Sequence, residues 1–187
     1  YTTEPTLATL RGSHGGTKFM ESDIIMLSGH GNSGGINFDS KDTGANFWVT
    51  TNTAARGCII IQNEYNMGKV KLIIFDGCET AKESSNCAQI VVSKGCKAAI
   101  GWTTTVGFNC MYEWKNKFNN YLATGNSISN ALRIANSFNY GDNSCKNWKL
   151  YGNGSQVLKH SKSATRINSL NTDINSVVLN QAISPEK

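Results

Sequence analysis

The chain has 187 residues, a formal net charge of +5 and 17% charged residues, against 39% hydrophobic residues, 18 Gly and 2 Pro. That length suits one domain able to bury about 70% of the surface its unfolded chain exposes, and the low charge content excludes a long coiled coil or a charge-driven disordered chain. No apolar run approaches the ~20 residues that span a bilayer, and the basic excess forms no stripe of the kind that tracks a nucleic-acid backbone, so neither a membrane span nor a nucleic-acid partner is expected.

The first 20 residues are irregular, interrupted by Gly12, Gly15 and Gly16. The chain opens at Tyr1 with neither Met nor a signal-like apolar stretch, and reads as a processed or truncated piece. Asp23 to Ser28 is a short continuous apolar run, the pattern of a strand buried on both faces of a parallel sheet. It stops at Gly29-His30-Gly31-Asn32-Ser33-Gly34-Gly35, which is glycine-rich enough to predict a loop. A second apolar run, Val70 to Phe75, ends as sharply at Asp76-Gly77-Cys78.

Helical character follows from Asn86 to Lys94, with Ala88, Val91 and Val92 on one face and Gly95 as the C-terminal stop. Lys97 to Trp102 reads as a third strand. Helices are predicted over about 110–123 and 127–138, the first with Trp114 and Phe118 as a core stripe, the second with Ile128, Ala131, Leu132 and Ala135 at helical spacing. Trp148 to Tyr151 and Gln156 to Lys159 read as short strands around a Gly152-Asn153-Gly154 turn. From about Ser161 the chain is rich in Ser and Asn and reads as a tail or the start of a linker. Strands alternating with helices predict an α/β sheet with at least three parallel strands, whose functional groups gather beyond the carboxyl ends of the strands.

Two of those strand ends carry reactive residues, His30 and Cys78. A thiol becomes a strong nucleophile when an imidazole takes its proton, and neighbouring strands bring their ends within about 5 Å of each other. Gly31 and Gly77 allow a tight turn and close approach of a substrate. Main-chain N–H groups at Gly31 and Cys78 are then placed to hold a carbonyl oxygen as it becomes an oxyanion. The chemistry this pattern points to is acyl transfer on a thiol.

A hydrophobic strand ending in Ser28-Gly29-His30-Gly31, then one ending in Asp76-Gly77-Cys78, resembles the caspase-like cysteine peptidases, closest to the clostripain, gingipain and CHAT-type members. Glu79-Thr80-Ala81, the helix with Ala88, the stretch Gly95 to Trp102, the helices from Phe118 to Ala135 and Trp148-Lys149-Leu150-Tyr151-Gly152 extend the resemblance over about residues 22–158. It implies a three-layer α/β/α sandwich with a mostly parallel sheet. His30 is then the catalytic histidine, Cys78 the nucleophile, and Gly31 and Cys78 the donors of the oxyanion hole. It also implies that Asp76 lines the pocket for the residue before the scissile bond (P1), selecting Arg or Lys, with Trp102 and Thr103 in its wall. The substrate would be a protein or peptide with a basic P1 residue. No redox cofactor or catalytic metal is implied, and calcium dependence, found in some members, is neither supported nor excluded by the scattered acids. A full sheet of this family begins with a strand and helix for which the 22 residues before Asp23 are too few, so that unit is expected to be missing and a sheet edge exposed. Residues 1–160 are assigned to the peptidase domain and 161–187 to the tail or linker.

Two other functions compete. Gly31-Asn32-Ser33-Gly34-Gly35 matches the G-x-S-x-G pattern of a serine nucleophile, which requires Ser33 to sit between a strand and an immediate helix. Alternatively the same fold serves as a non-catalytic binding or scaffold domain. His14 lacks an apolar strand before it, and His160 lies near the tail. The six cysteines include no CxxC pair, which argues against a zinc ribbon or a thioredoxin-type site. Cys87 and Cys96 read as packing thiols or disulfide partners. The cysteine content and the missing initiator favour a secreted or cell-envelope protein over a cytoplasmic one.

Overall fold

The computed structural model describes residues 22–39, 46–50, 59–60, 67–158 and 176–179. Strands β1 (Ile24–Ser28), β6 (Leu72–Asp76), β7 (Ala98–Trp102), β8 (Trp148–Gly152) and β9 (Ser176–Leu179) form one sheet in the order β8-β7-β6-β1-β9. β9, β1, β6 and β7 run parallel and β8 is antiparallel to β7, so the chain is α/β with a mixed central sheet. Every residue of β6 and β7 is buried, as an uninterrupted apolar run requires.

Alternate residues of these strands feed two cores. Ile25, Leu27, Ile73, Phe75 and Ala99 pack with Ala88 and Val91 of helix α1 (Cys87–Ser93). Met26, Leu72, Ile74, Ala98, Ile100 and Trp102 pack on the other face against α2 (Phe108–Ala123) and α3 (Ile128–Ser137). The Trp114–Phe118 stripe is a stacked pair with centroids 5.2 Å apart, and Trp102 meets Trp114 edge-on at 5.3 Å. Asn86 caps α1 by accepting from the Gln89 N–H, and Ser127 caps α3 by accepting from Asn130. Gly95, at φ +105°, ends α1 as expected. Cys110 at the start of α2 is disulfide-bonded to Cys145, whereas Cys78, Cys87 and Cys96 are free thiols.

The sequence expectation is corrected in three places. The glycine-rich 29–35 stretch is not a loop throughout: β2 (His30–Asn32) and β3 (Gly35–Asp39) form an antiparallel hairpin, extended by β4 (Asn46–Thr50) and β5 (Ile59–Ile60) into a second sheet. Its tight reversal is held by Asn32, whose Oδ1 accepts from the Gly34 N–H. Gln156 to Lys159 forms no strand within the described residues, only a single bridge from Val157 to Ser127. Within the 161–187 stretch assigned to a tail, Ser176–Leu179 is a strand paired in parallel with β1, on the edge expected to be exposed. His14, Cys58 and His160 lie outside the described residues.

Candidate active site

β1 and β6 are hydrogen-bonded neighbours, and their register matches Ser28 with Asp76. His30 and Cys78 each lie two residues beyond that matched pair. The chain segments carrying them touch. A Cβ built on Gly31 would lie 2.7 Å from the Cys78 carbonyl oxygen and 2.8 Å from Thr80 Cγ2. One built on Gly77 would lie 2.9 Å from the Gly29 carbonyl oxygen and 3.1 Å from Gly31 Cα. Only glycine allows the two backbones this close.

The turn after β6 is strongly braced. Thr80 is fully buried; its hydroxyl donates toward the carbonyls of Phe75 (2.9 Å) and Gly77 (3.1 Å) and accepts from the Trp102 N–H (3.1 Å). The Glu79 N–H donates to the Thr104 carbonyl (3.1 Å) and the Ala81 N–H to that of Trp102 (2.8 Å). Glu79, next to the thiol, has φ +59°, a left-handed conformation uncommon outside glycine. Among the described residues the Cys78 N–H has no hydrogen-bond partner, which leaves it open to an oxyanion.

Cys78 is half-buried, with Sγ 3.4 Å from the Val106 nitrogen and 3.8 Å from its carbonyl oxygen. His30 is exposed, and among the described residues nothing is hydrogen-bonded to its ring. The other free thiols are in different surroundings. Burial pushes Cys87 up to about 12 and Cys96 up to about 11 from an ordinary value of 9.0. Both are held as inert thiols near neutral pH.

Asp76 has 0% exposure. Its Oδ2 accepts from Ser28 Oγ and is 2.8 Å from Lys115 Nζ, while Oδ1 is buried without a hydrogen-bond partner among the described residues. Lys115 projects from α2 onto the core and is itself buried, 9% exposed. The carboxylate expected to meet a substrate cation is therefore engaged by a cation of the chain itself. Trp102 is a core residue with no exposed surface, its Nε1 donating to the Cys145 carbonyl (2.9 Å). Thr103 lies beside the turn that carries Cys78, but its N–H and hydroxyl both donate to the Asn147 carbonyl (2.8 and 2.9 Å). The wall role expected of Trp102 has no surface to act through in this conformation.

Ser33 occupies the turn between two antiparallel strands, with its carbonyl accepting from Cys87 Sγ at 3.9 Å. The strand-to-helix elbow needed by a serine nucleophile is absent there. Among the described residues no group of three or more His, Cys, Asp or Glu side chains converges to hold a metal ion, and no helix is long and apolar enough to cross a membrane.

The sequence motifs contain Ser28 and Thr80 but assign them no role, and Lys115 lies outside the motifs. Lys115 had a legible signal: it falls four residues after Met111 and three before Phe118, on the apolar side of a helix. No protein-family model matches the sequence, and no curated protein matches it.

Proposed function

We propose that the chain is a cysteine endopeptidase built on a caspase-like α/β/α sandwich, working through Cys78 and His30. The observation that carries this reading is the approach of Gly31 to the Gly77–Cys78 backbone at the ends of two neighbouring parallel strands. In the proposed reaction Cys78 Sγ attacks the scissile carbonyl carbon and its proton passes to His30. The oxyanion is held by the Cys78 and Gly31 N–H groups. His30 then gives the proton to the departing amine, leaving a thioester on Cys78 that water hydrolyses.

Selection of Arg or Lys at P1 belongs to this proposal, through Asp76. The unpartnered Oδ1 supports it, because a desolvated carboxylate with a free oxygen attracts a guanidinium or ammonium. The full burial of Asp76 behind Lys115 sets its condition: a basic P1 side chain reaches it only when Lys115 gives way. The Cys110–Cys145 disulfide supports placement in an oxidising compartment, secreted or at the cell envelope.

A second reading, a non-catalytic domain on the same fold, is favoured by one observation: Sγ is turned onto Val106 and makes no hydrogen bond to His30. Fluorogenic peptides with Arg, Lys, Asn or Asp at P1, presented to wild type and Cys78→Ala, separate the two. The peptidase reading expects turnover by wild type, highest with Arg or Lys, and none by Cys78→Ala. Turnover that survives in Cys78→Ala removes the nucleophile, and none in either protein favours the inert domain.

A further inference from the structure

We infer that Asn37 is a positioning residue for His30, so that the proposed dyad works as a Cys78–His30–Asn37 unit; this rests on the peptidase reading above. His30 and Asn37 are directly opposite in the antiparallel register of β2 and β3. Opposed residues of such a ladder project from the same face, with Cβ atoms about 4.5–5.5 Å apart. The alternate pair, Gly31 and Ile36, takes the other face: Ile36 is fully buried in the core shared with α1. His30 and Asn37 are thereby left side by side.

The second observation is independent of the register. Asn37 Oδ1 is buried and has no hydrogen-bond partner among the described residues. Burying an acceptor without a partner forfeits its hydration for nothing in return, so such a group usually has a donor to meet. Its register partners are His30 on β2 and Trp48 on β4; the imidazole N–H of His30 is the donor we assign to it, and the His30 ring has no other partner among the described residues. An Asn carbonyl accepting that N–H fixes the ring's orientation and tautomer, and leaves the second nitrogen as the base for the Cys78 thiol. A neutral amide does this without adding a charge to the site.

The test is the alkylation of Cys78 by iodoacetamide, followed by peptide mass mapping in wild type, Asn37→Ala, Asn37→Asp and His30→Ala. In this step an Sγ–carbon bond forms, iodide leaves, and the thiol proton passes to His30. Removing the partner that orients a metal-bound histidine typically lowers affinity or activity about 10–100-fold, and a slowing of that order is expected of Asn37→Ala. Asn37→Asp, which keeps an acceptor oxygen, should restore most of the rate, with both variants melting cooperatively. A wild-type rate in Asn37→Ala with a slow His30→Ala overturns the role of Asn37 and leaves the dyad standing. Equal rates in His30→Ala and wild type overturn the dyad and this proposal together. If the Asn37 variants do not fold, imidazole ¹⁵N shifts of the wild-type protein decide: one dominant hydrogen-bonded tautomer supports the assignment, and rapidly averaging tautomers overturn it.

Discussion

Replacing Lys115 by Met tests how the charge at the end of β6 is held. Lys115 Nζ and Asp76 Oδ2 are 2.8 Å apart, and the two side chains are 11% and 0% exposed. At an effective dielectric of about 20, unit charges at that distance attract by about 6 kcal/mol. Desolvation offsets much of this in forming the pair, but removing one partner strands the other, and such changes typically cost about 3–5 kcal/mol. Lys115→Met should therefore destabilise the fold by about that amount, which at a urea m-value of about 2 kcal/mol/M moves the unfolding midpoint down by about 2 M. Asp76→Leu combined with Lys115→Met removes both charges and should recover most of the loss, because an apolar replacement of a buried pair is often close to neutral. The assay is urea unfolding of the single and double variants with the disulfide kept oxidised. A Lys115→Met variant within about 1 kcal/mol of wild type, or a double variant no better than the worse single one, would refute the claim that Lys115 neutralises Asp76.

Gly31→Ala places a methyl group 2.7 Å from the Cys78 carbonyl oxygen, a backbone atom with little freedom to yield; a loss of about 1–3 kcal/mol in unfolding is expected, and the proposed peptidase turnover should be lost alongside it. Replacing Cys110 and Cys145 by Ser opens a link across a sequence separation of 35, worth about 4 kcal/mol in the chain-entropy account, and should lower the thermal midpoint; an unchanged midpoint would contradict it. Burial raises Cys87 to about 12 and Cys96 to about 11, above the 9.0 of a free thiol. The unfolded chain therefore loses these protons first, so their stabilising effect is complete below about pH 9 and is lost as pH rises from there through about 11 and 12. The unfolding midpoint should fall across that window, and Cys87→Ala should flatten the fall; an equal slope in the variant would remove Cys87 as its source.

The elements legible in the sequence are those buried on both faces. β1, β6 and β7 each present an uninterrupted apolar run, and α3 shows its four core residues at helical spacing, because core packing leaves little choice of residue there. The hairpin of β2 and β3 was hidden by its glycines. They signal a loop by propensity, yet Gly31 is needed for close approach to the Cys78 turn, and tertiary packing overrides the local preference. β9 is only four residues long within a Ser- and Asn-rich stretch, too short for a periodic pattern to stand out. At the site, the neighbouring strand ends that carry His30 and Cys78 followed from residue pattern plus parallel topology. The partner of Asp76 did not, because Lys115 comes from a helix 39 residues away in sequence and only packing brings the charges together.

The central claim is that His30 and Cys78 act together on one acyl carbon. The measurement that bears on it most directly is intact-protein and peptide mass spectrometry after brief exposure to a p-nitrophenyl ester of an N-acylated arginine. Attack by Sγ forms a thioester and releases p-nitrophenolate, so one acyl group should appear on Cys78, be absent in Cys78→Ala, and form far more slowly in His30→Ala. An acyl group carried on another residue, or one that forms on Cys78 at the same rate without His30, would contradict the account.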